Sequence, residues 1–143
     1  MIAMARKDIY HNQVREALRK DNWQITDDPF RLRIGKKRLA IDLGAEQQLL
    51  TAEKGLRKII VEIKSFVGRS DVNDLEQALG QYVLYQQVLI AKQIERELYL
   101  AVPFRTYQTI FQSELGAILL KNGVIRLLVF DEVQEVIVTW VPD

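Results

Sequence analysis

The sequence predicts a mixed β-sheet flanked by helices, in the α/β to α+β range and built as a single domain. Three observations predict it. At 143 residues the chain fits one core-bearing domain. Its 48% hydrophobic and 27% charged residues are those of an ordinary globular protein. Apolar periodicity also changes along the chain, in the order α, several β, α, β, α, β, β.

Residues 5–20, ARKDIYHNQVREALRK, read as a first helix with Ile9, Val14, Ala17 and Leu18 on its inner stripe. NWQITDDPF then reads as a strand closed by an Asp-Asp-Pro breaker. RLRIGKKRLAIDLGAEQQLL alternates in places, which predicts one or two strands with a turn near Gly35. AEKG is the next turn, and LRKIIVEIKSF the strongest strand. In that strand Ile59, Val61 and Ile63 point one way, Glu62 and Lys64 the other. Residues 71–95 form the strongest helical segment. Ser70 or Asp71 caps it, and Leu75, Leu79, Tyr82, Val83 and Leu89 share a broad face. RELYLAVPF is a buried strand ended by proline, and TYQTIFQSELGAILLKNG a further amphipathic helix stopped at Asn122-Gly123. VIRLLVFD and EVIVTWVP complete the sheet around a turn near Glu132.

Composition excludes several chemistries. Without cysteine there is no disulfide, thiolate metal site or cysteine nucleophile, which fits a reducing cytoplasm. The opening MIAMARKDIYHNQ lacks the apolar core of a signal peptide, and no stretch approaches the ~18 apolar residues of a membrane helix. His11 is the only histidine, so a two-histidine metal site is excluded, and its polar helix predicts a solvent-facing ring. No phosphate-binding glycine loop occurs. The net charge of +1 is unevenly spread: residues 1–40 hold ten Lys/Arg against five Asp/Glu. The densest run supplies Arg31, Arg33, Lys36, Lys37 and Arg38 as candidate nucleic-acid contacts. A solvated, edge-protecting strand would carry the same charges.

One constellation carries chemistry. Asp42 lies in AIDLGAE, just before a glycine, and VEIK places Glu62 and Lys64 on one strand face. If the two strands are neighbours, Asp42 comes alongside Glu62. Two carboxylates and the Ile63 backbone carbonyl are oxygen ligands suited to Mg²⁺ or Mn²⁺, and Mg²⁺ needs only one or two protein carboxylates. A water acidified by such a cation is the nucleophile for hydrolysis, and Lys64 can orient it or stabilise developing charge. The alternative is a half-buried strand whose wet face happens to be charged. Glu46 shares Asp42's face if the strand runs on, either as an extra acid or as a surface residue.

Asp, a spacer and Glu-x-Lys resemble the PD-(D/E)XK nuclease superfamily, with Ile41 where a proline commonly precedes the aspartate. That resemblance implies a restriction-endonuclease-like fold and a catalytic role for Asp42, Glu62 and Lys64. It also points to Glu16 as an additional metal-associated acid, although Arg19 and Lys20 offer it ordinary helix-surface pairing. Gln81 and Tyr85 match the Q-x-x-x-Y pattern of the RecB-like branch and project from one helical face.

ALRKDNWQITDDPF, LAIDLGAE, AEKG with RKIIVEIKSF, and DLEQALGQYVLYQ together resemble a narrower group. This is the XisH family, the fdxN element excision controlling factors of cyanobacteria. The resemblance implies a role in excising a DNA element by site-specific recombination during heterocyst development. The implied partners are DNA, the companion factor XisI and a site-specific recombinase; a homodimer is a further expectation. Two functions stand: a Mg²⁺-dependent endonuclease-like factor, or a non-catalytic accessory that binds DNA, a recombinase or XisI.

Overall fold

The computed structural model describes residues 7–48 and 56–143; the AEKG turn and the first two residues of the predicted first helix lie outside them. Helix α1 spans His11–Lys20, followed by β1 (Gln24–Asp27), β2 (Phe30–Ile34), β3 (Lys37–Ile41), β4 (Leu43–Gln48) and β5 (Leu56–Ile63). Helix α2 (Asp71–Ala91) leads into β6 (Glu97–Pro103). A helical turn α3 (Phe104–Thr106), a π-helix (Tyr107–Phe111) and α4 (Glu114–Lys121) precede β7 (Leu127–Asp131) and β8 (Val136–Val141).

Six strands form one sheet in the order β1-β4-β5-β6-β7-β8, and β2-β3 form a separate hairpin. The central pairs β5–β6 and β6–β7 are parallel, and the flanking pairs antiparallel. Parallel neighbours require crossovers, and both crossovers advance the same way across the sheet, so right-handedness places their helices on one face. Accordingly Leu75, Ala78, Tyr82 and Leu89 of α2 pack with Ile60, Leu98, Leu100, Val102, Leu127 and Val129. The other face is covered by α1: Val14 and Leu18 meet Ile59, Val61, Ile63, Tyr99, Ala101, Leu128 and Phe130. Both faces of the central strands are therefore buried, the expected state of parallel strands.

Five sequence expectations change. The segment predicted as one or two strands makes three, because the chain bends at Asp42 between the β2-β3 hairpin and the main sheet. The predicted single helix over 106–123 breaks at Ser113, whose extended backbone starts α4. At that corner a Cβ on Gly116 would stand 2.2 Å from the Ile110 carbonyl oxygen, so only glycine admits the close packing. Val83 of α2 points outward, 42% exposed. His11, expected in solvent, is 3% exposed, its Nε2 2.7 Å from Asp28 Oδ1. Periodicity places Val14, Ala17 and Leu18 on α1's inner stripe correctly, but the helix starts only at His11 and Ile9, expected in that stripe, lies before it and is 62% exposed. Only the folded chain brings the Asp28 loop onto the helix start.

Candidate functional site

The site sits where β3, β4 and β5 meet. β4 and β5 pair antiparallel with Leu43 opposite Val61, so Asp42, one residue earlier, lies across from Glu62. The Ile63 N–H donates to Asp42 Oδ2 at 2.7 Å. The next N–H, that of Lys64, points the other way and donates to the Ala101 carbonyl of β6 at 3.0 Å. N–H and C=O of one strand residue share an edge, so the Ile63 carbonyl lies on Asp42's side.

Glu62 is on the face predicted for it, but that face is not wet. It is 8% exposed, on the side covered by α2, and its Oε2 is buried without a hydrogen-bond partner. Burial, then the Asp42 and Asp8 carboxylates, push its carboxyl up to about 10, with Lys64 opposing. A buried carboxyl crowded by acids holds its proton in the absence of a cation. Lys64 shares the strand face and donates from Nζ to Gln77 Oε1 of α2 at 3.2 Å.

Tyr85 faces the same group. It packs against the α2-side core, and burial followed by the charges of Glu62 and Asp42 pushes its phenol up to about 12. Gln81, one turn earlier, is exposed and makes no hydrogen bond among the described residues. Glu16 pairs with Arg19 on α1, across the sheet from α2. Glu46 sits in β4 opposite Lys58. Asp42, Glu62, the Ile63 backbone, Lys64 and Tyr85 are thus brought together.

Two residues complete the surroundings. Asp8 lies before α1, accepts from the Tyr10 N–H at 2.9 Å and the Ser65 N–H at 3.0 Å, and acts on Glu62 as a further carboxylate. Reading 5–20 as one helix hid it; an aspartate just before an apolar helical stripe is the signal for a turn or cap there. Gln77 precedes Gln81 by one helical turn, a spacing that extends the Q-x-x-x-Y pattern backwards. The loop after Lys64 is held by Arg105, which donates to the Ser65 and Phe66 carbonyls at 2.7 and 3.2 Å. Asp74 accepts from the Gly68 N–H at 2.9 Å.

The basic hairpin adjoins this site, since β3 ends immediately before Asp42. Its pairing puts Arg31, Arg33 and Arg38 on one face and Phe30, Leu32, Leu39 and Ile41 on the other, against the α2-side core. Lys36 follows Gly35 in the turn, and Lys37 lies on the face opposite the three arginines. All five basic residues are exposed, and among the described residues none joins an ion pair.

A divalent cation can be tested against these groups. Among the described residues no three His, Cys, Asp or Glu side chains gather closely enough to hold a metal ion. The pair Asp42 and Glu62 with the Ile63 carbonyl fits a hard cation that retains most of its water, and the orphaned Glu62 oxygen is an acceptor left for it. These residues fit Mg²⁺ or Mn²⁺ as a two-carboxylate site.

Fold and site together define a mixed-sheet α/β protein with a carboxylate pair, Glu62 buried and Asp42 partly exposed, and a lysine at the end of its central strands. The XisH protein family matches residues 4–138, and the chain belongs to that family. The chain is similar to the crystal structure of an XisH family protein from Nostoc punctiforme, with 39% identity and a TM-score of 0.82. The match covers 94% of this chain and 99% of that one. It is also similar to an fdxN element excision controlling factor protein from Anabaena variabilis, at 39% identity and a TM-score of 0.81, with the same coverages. No curated protein matches. No helix among the described residues is long and apolar enough to cross a membrane.

Proposed function

We propose that this protein is a DNA-processing factor that controls excision of a DNA element. In this proposal it hydrolyses phosphodiesters at Asp42, Glu62 and Lys64 with Mg²⁺ or Mn²⁺ bound. The observation that carries the proposal is the juxtaposition of Asp42 and Glu62, the latter buried with an unpartnered oxygen. Two crowded carboxylates under a helix are unfavourable without a cation between them. Support for the context comes from membership of the XisH family and likeness to a structure named as an excision controlling factor. The Asp, Glu-x-Lys pattern supports reading the fold as that of a PD-(D/E)XK nuclease.

Asp42, Glu62 and the Ile63 carbonyl would hold the cation, which supplies the Lewis acidity that hydrolysis needs. The Lys64 ammonium, oriented by Gln77, stabilises negative charge developing on the phosphate. Tyr85, kept protonated, offers its hydroxyl as a donor to the substrate, and Gln81 projects from the same helix into solvent. Arg31, Arg33 and Arg38 grip the phosphate backbone beside the site. DNA is the substrate, and XisI and a site-specific recombinase are the partners in this reading.

Calorimetric titration of Mg²⁺ or Mn²⁺, with plasmid nicking, on the wild type and Asp42→Ala tests it. Binding and nicking are expected in the wild type, and both vanish in the variant. Cation binding without nicking points to a nuclease that acts only with its partners, and XisI is then added. If the wild type neither binds the cation nor nicks, the protein is a non-catalytic accessory that uses the fold to bind DNA, a recombinase or XisI.

A further inference from the structure

The β2–β3 hairpin stands apart from the main sheet. Among the described residues its strands pair only with each other, at five cross-strand positions. One face belongs to the core: Leu32 and Ile41 are buried, with Phe30 and Leu39 packed beside them. The other face, formed by Arg31, Arg33, Arg38 and Ala40, is exposed throughout. No acid occurs from Pro29 to Ile41.

Positive charge alone would serve to hold phosphates, but the placement of these charges is more particular. Arg33 and Arg38 stand directly opposite each other, where like charges repel across a strand pair. Neither joins an ion pair among the described residues. A ligand that accepts from two adjacent guanidinium groups offsets that repulsion. The lysines lie elsewhere, Lys36 in the turn and Lys37 on the reverse face. The middle of the outer face therefore carries arginine alone, and the small Ala40 opposite Arg31 leaves room beside it.

A two-stranded ribbon is an element that the major groove of DNA admits, at a width of about 12 Å, whereas the minor groove, at about 6 Å, is too narrow for it. With the outer face on the groove floor, the arginine forks meet base edges and Lys36, at the ribbon's tip, meets the backbone. Arginine pairs bidentately with O6 and N7 of guanine, and its five N–H donors leave others for a flanking phosphate. Arg31 and Arg33 are two residues apart along β2, about 7 Å, which is close to two base-pair steps. We infer that the outer face of the β2–β3 ribbon enters the major groove of duplex DNA and reads guanines there through Arg31, Arg33 and Arg38. The inference rests on the DNA-processing reading proposed above and adds sequence selection to it. Selection would be delivered beside the carboxylates, because Ala40, across from Arg31, is two residues from Asp42.

Selection by the full chain from a pool of random-sequence duplexes, with Ca²⁺ present, tests this, and fluorescence anisotropy then follows the enriched duplex. The wild type is expected to enrich guanines within a window of about three base pairs. Replacing them with 7-deazaguanine, which lacks the N7 acceptor, should weaken binding about tenfold or more. Arg31→Lys, Arg33→Lys and Arg38→Lys combined keep the charge but not the fork. Pool binding by that variant stays within about threefold of the wild type, while the enriched sequence loses its advantage. Lys37→Ala, on the reverse face, leaves the preference intact. A wild type that binds the pool but enriches no sequence overturns the inference and leaves the hairpin as a grip on phosphates. A preference that survives 7-deazaguanine or the lysine exchange overturns it equally. No binding of the pool at all removes the DNA reading itself, and an acidic protein surface is then the partner of this face.

Discussion

The two faces of the sheet use one set of strands for different ends. On the α1 side, β5 contributes Ile59, Val61 and Ile63, and the core runs without a charged group from Val14 to Phe130. It is closed by Arg57, whose guanidinium lies 5.5, 5.9 and 5.6 Å from the Trp23, Tyr99 and Trp140 ring centres. On the α2 side the same strand contributes Ile60 and then Glu62, so an apolar core ends in a buried carboxyl beside Asp42, Lys64 and Tyr85. Period two in the strand lets one face hold the fold together while the next residue along carries an ionisable group. The cost of burying that group falls on the α2 face alone.

If that division is real, the faces break differently. Phe130→Ala, on the α1 side, is expected to lose about 3–5 kcal/mol in urea unfolding, because a fully buried ring leaves a cavity. The folded fraction should keep the cation affinity of the wild type in calorimetry.

Glu62→Gln acts through pH. With its carboxyl raised to about 10 in the folded state against an ordinary 4.5, the folded protein holds a proton that the unfolded chain releases. This contribution is complete below pH 4.5 and is lost as pH rises towards about 10, so metal-free stability falls across that window. The variant cannot ionise and should flatten the slope, standing a few kcal/mol above the wild type at alkaline pH. Unfolding with chelator at several pH values checks this, and an unchanged slope would remove Glu62 as its source.

Arg57→Ala sharpens the other side. Loss of contacts to three rings is expected to lower stability by about 1–2 kcal/mol, with pH dependence and cation binding untouched. The smallest effect on folding belongs to the hairpin. Replacing Arg31, Arg33 and Arg38 together by alanine should leave unfolding within about 0.5 kcal/mol per exposed site. The same change is expected to weaken DNA binding and lower the salt slope by roughly 0.9 for each phosphate contact removed. Fluorescence anisotropy across a salt series measures both.

Much of this was legible beforehand. Alternation in KIIVEIKSF gives the strand and its two faces, the Ser70 cap marks the start of α2, and Asp42 with VEIK gives the site's carboxylates and lysine. The hairpin hidden in RLRIGKKRLAIDLGAE was harder, because the bend at Asp42 depends on a bond to the Ile63 N–H twenty-one residues away. Asp8 is hidden in the sequence for the same reason: its partner is the Ser65 N–H, fifty-seven residues on. Val83 reads as an inner residue because apolar character alone cannot say which side of an apolar helix meets the sheet.

The sequence by itself determined the element order, the family pattern and which atoms are chemically able to bind a cation. These follow from local propensity, side-chain period and residue type, all properties of neighbours along the chain. Only the tertiary structure decided that Glu62 is buried rather than wet, that His11 turns inward to Asp28, and that α2 keeps a second apolar face outside. Burial and pairing depend on which distant segments arrive at a surface. A strand carrying a glutamate is the same strand until a helix closes over it.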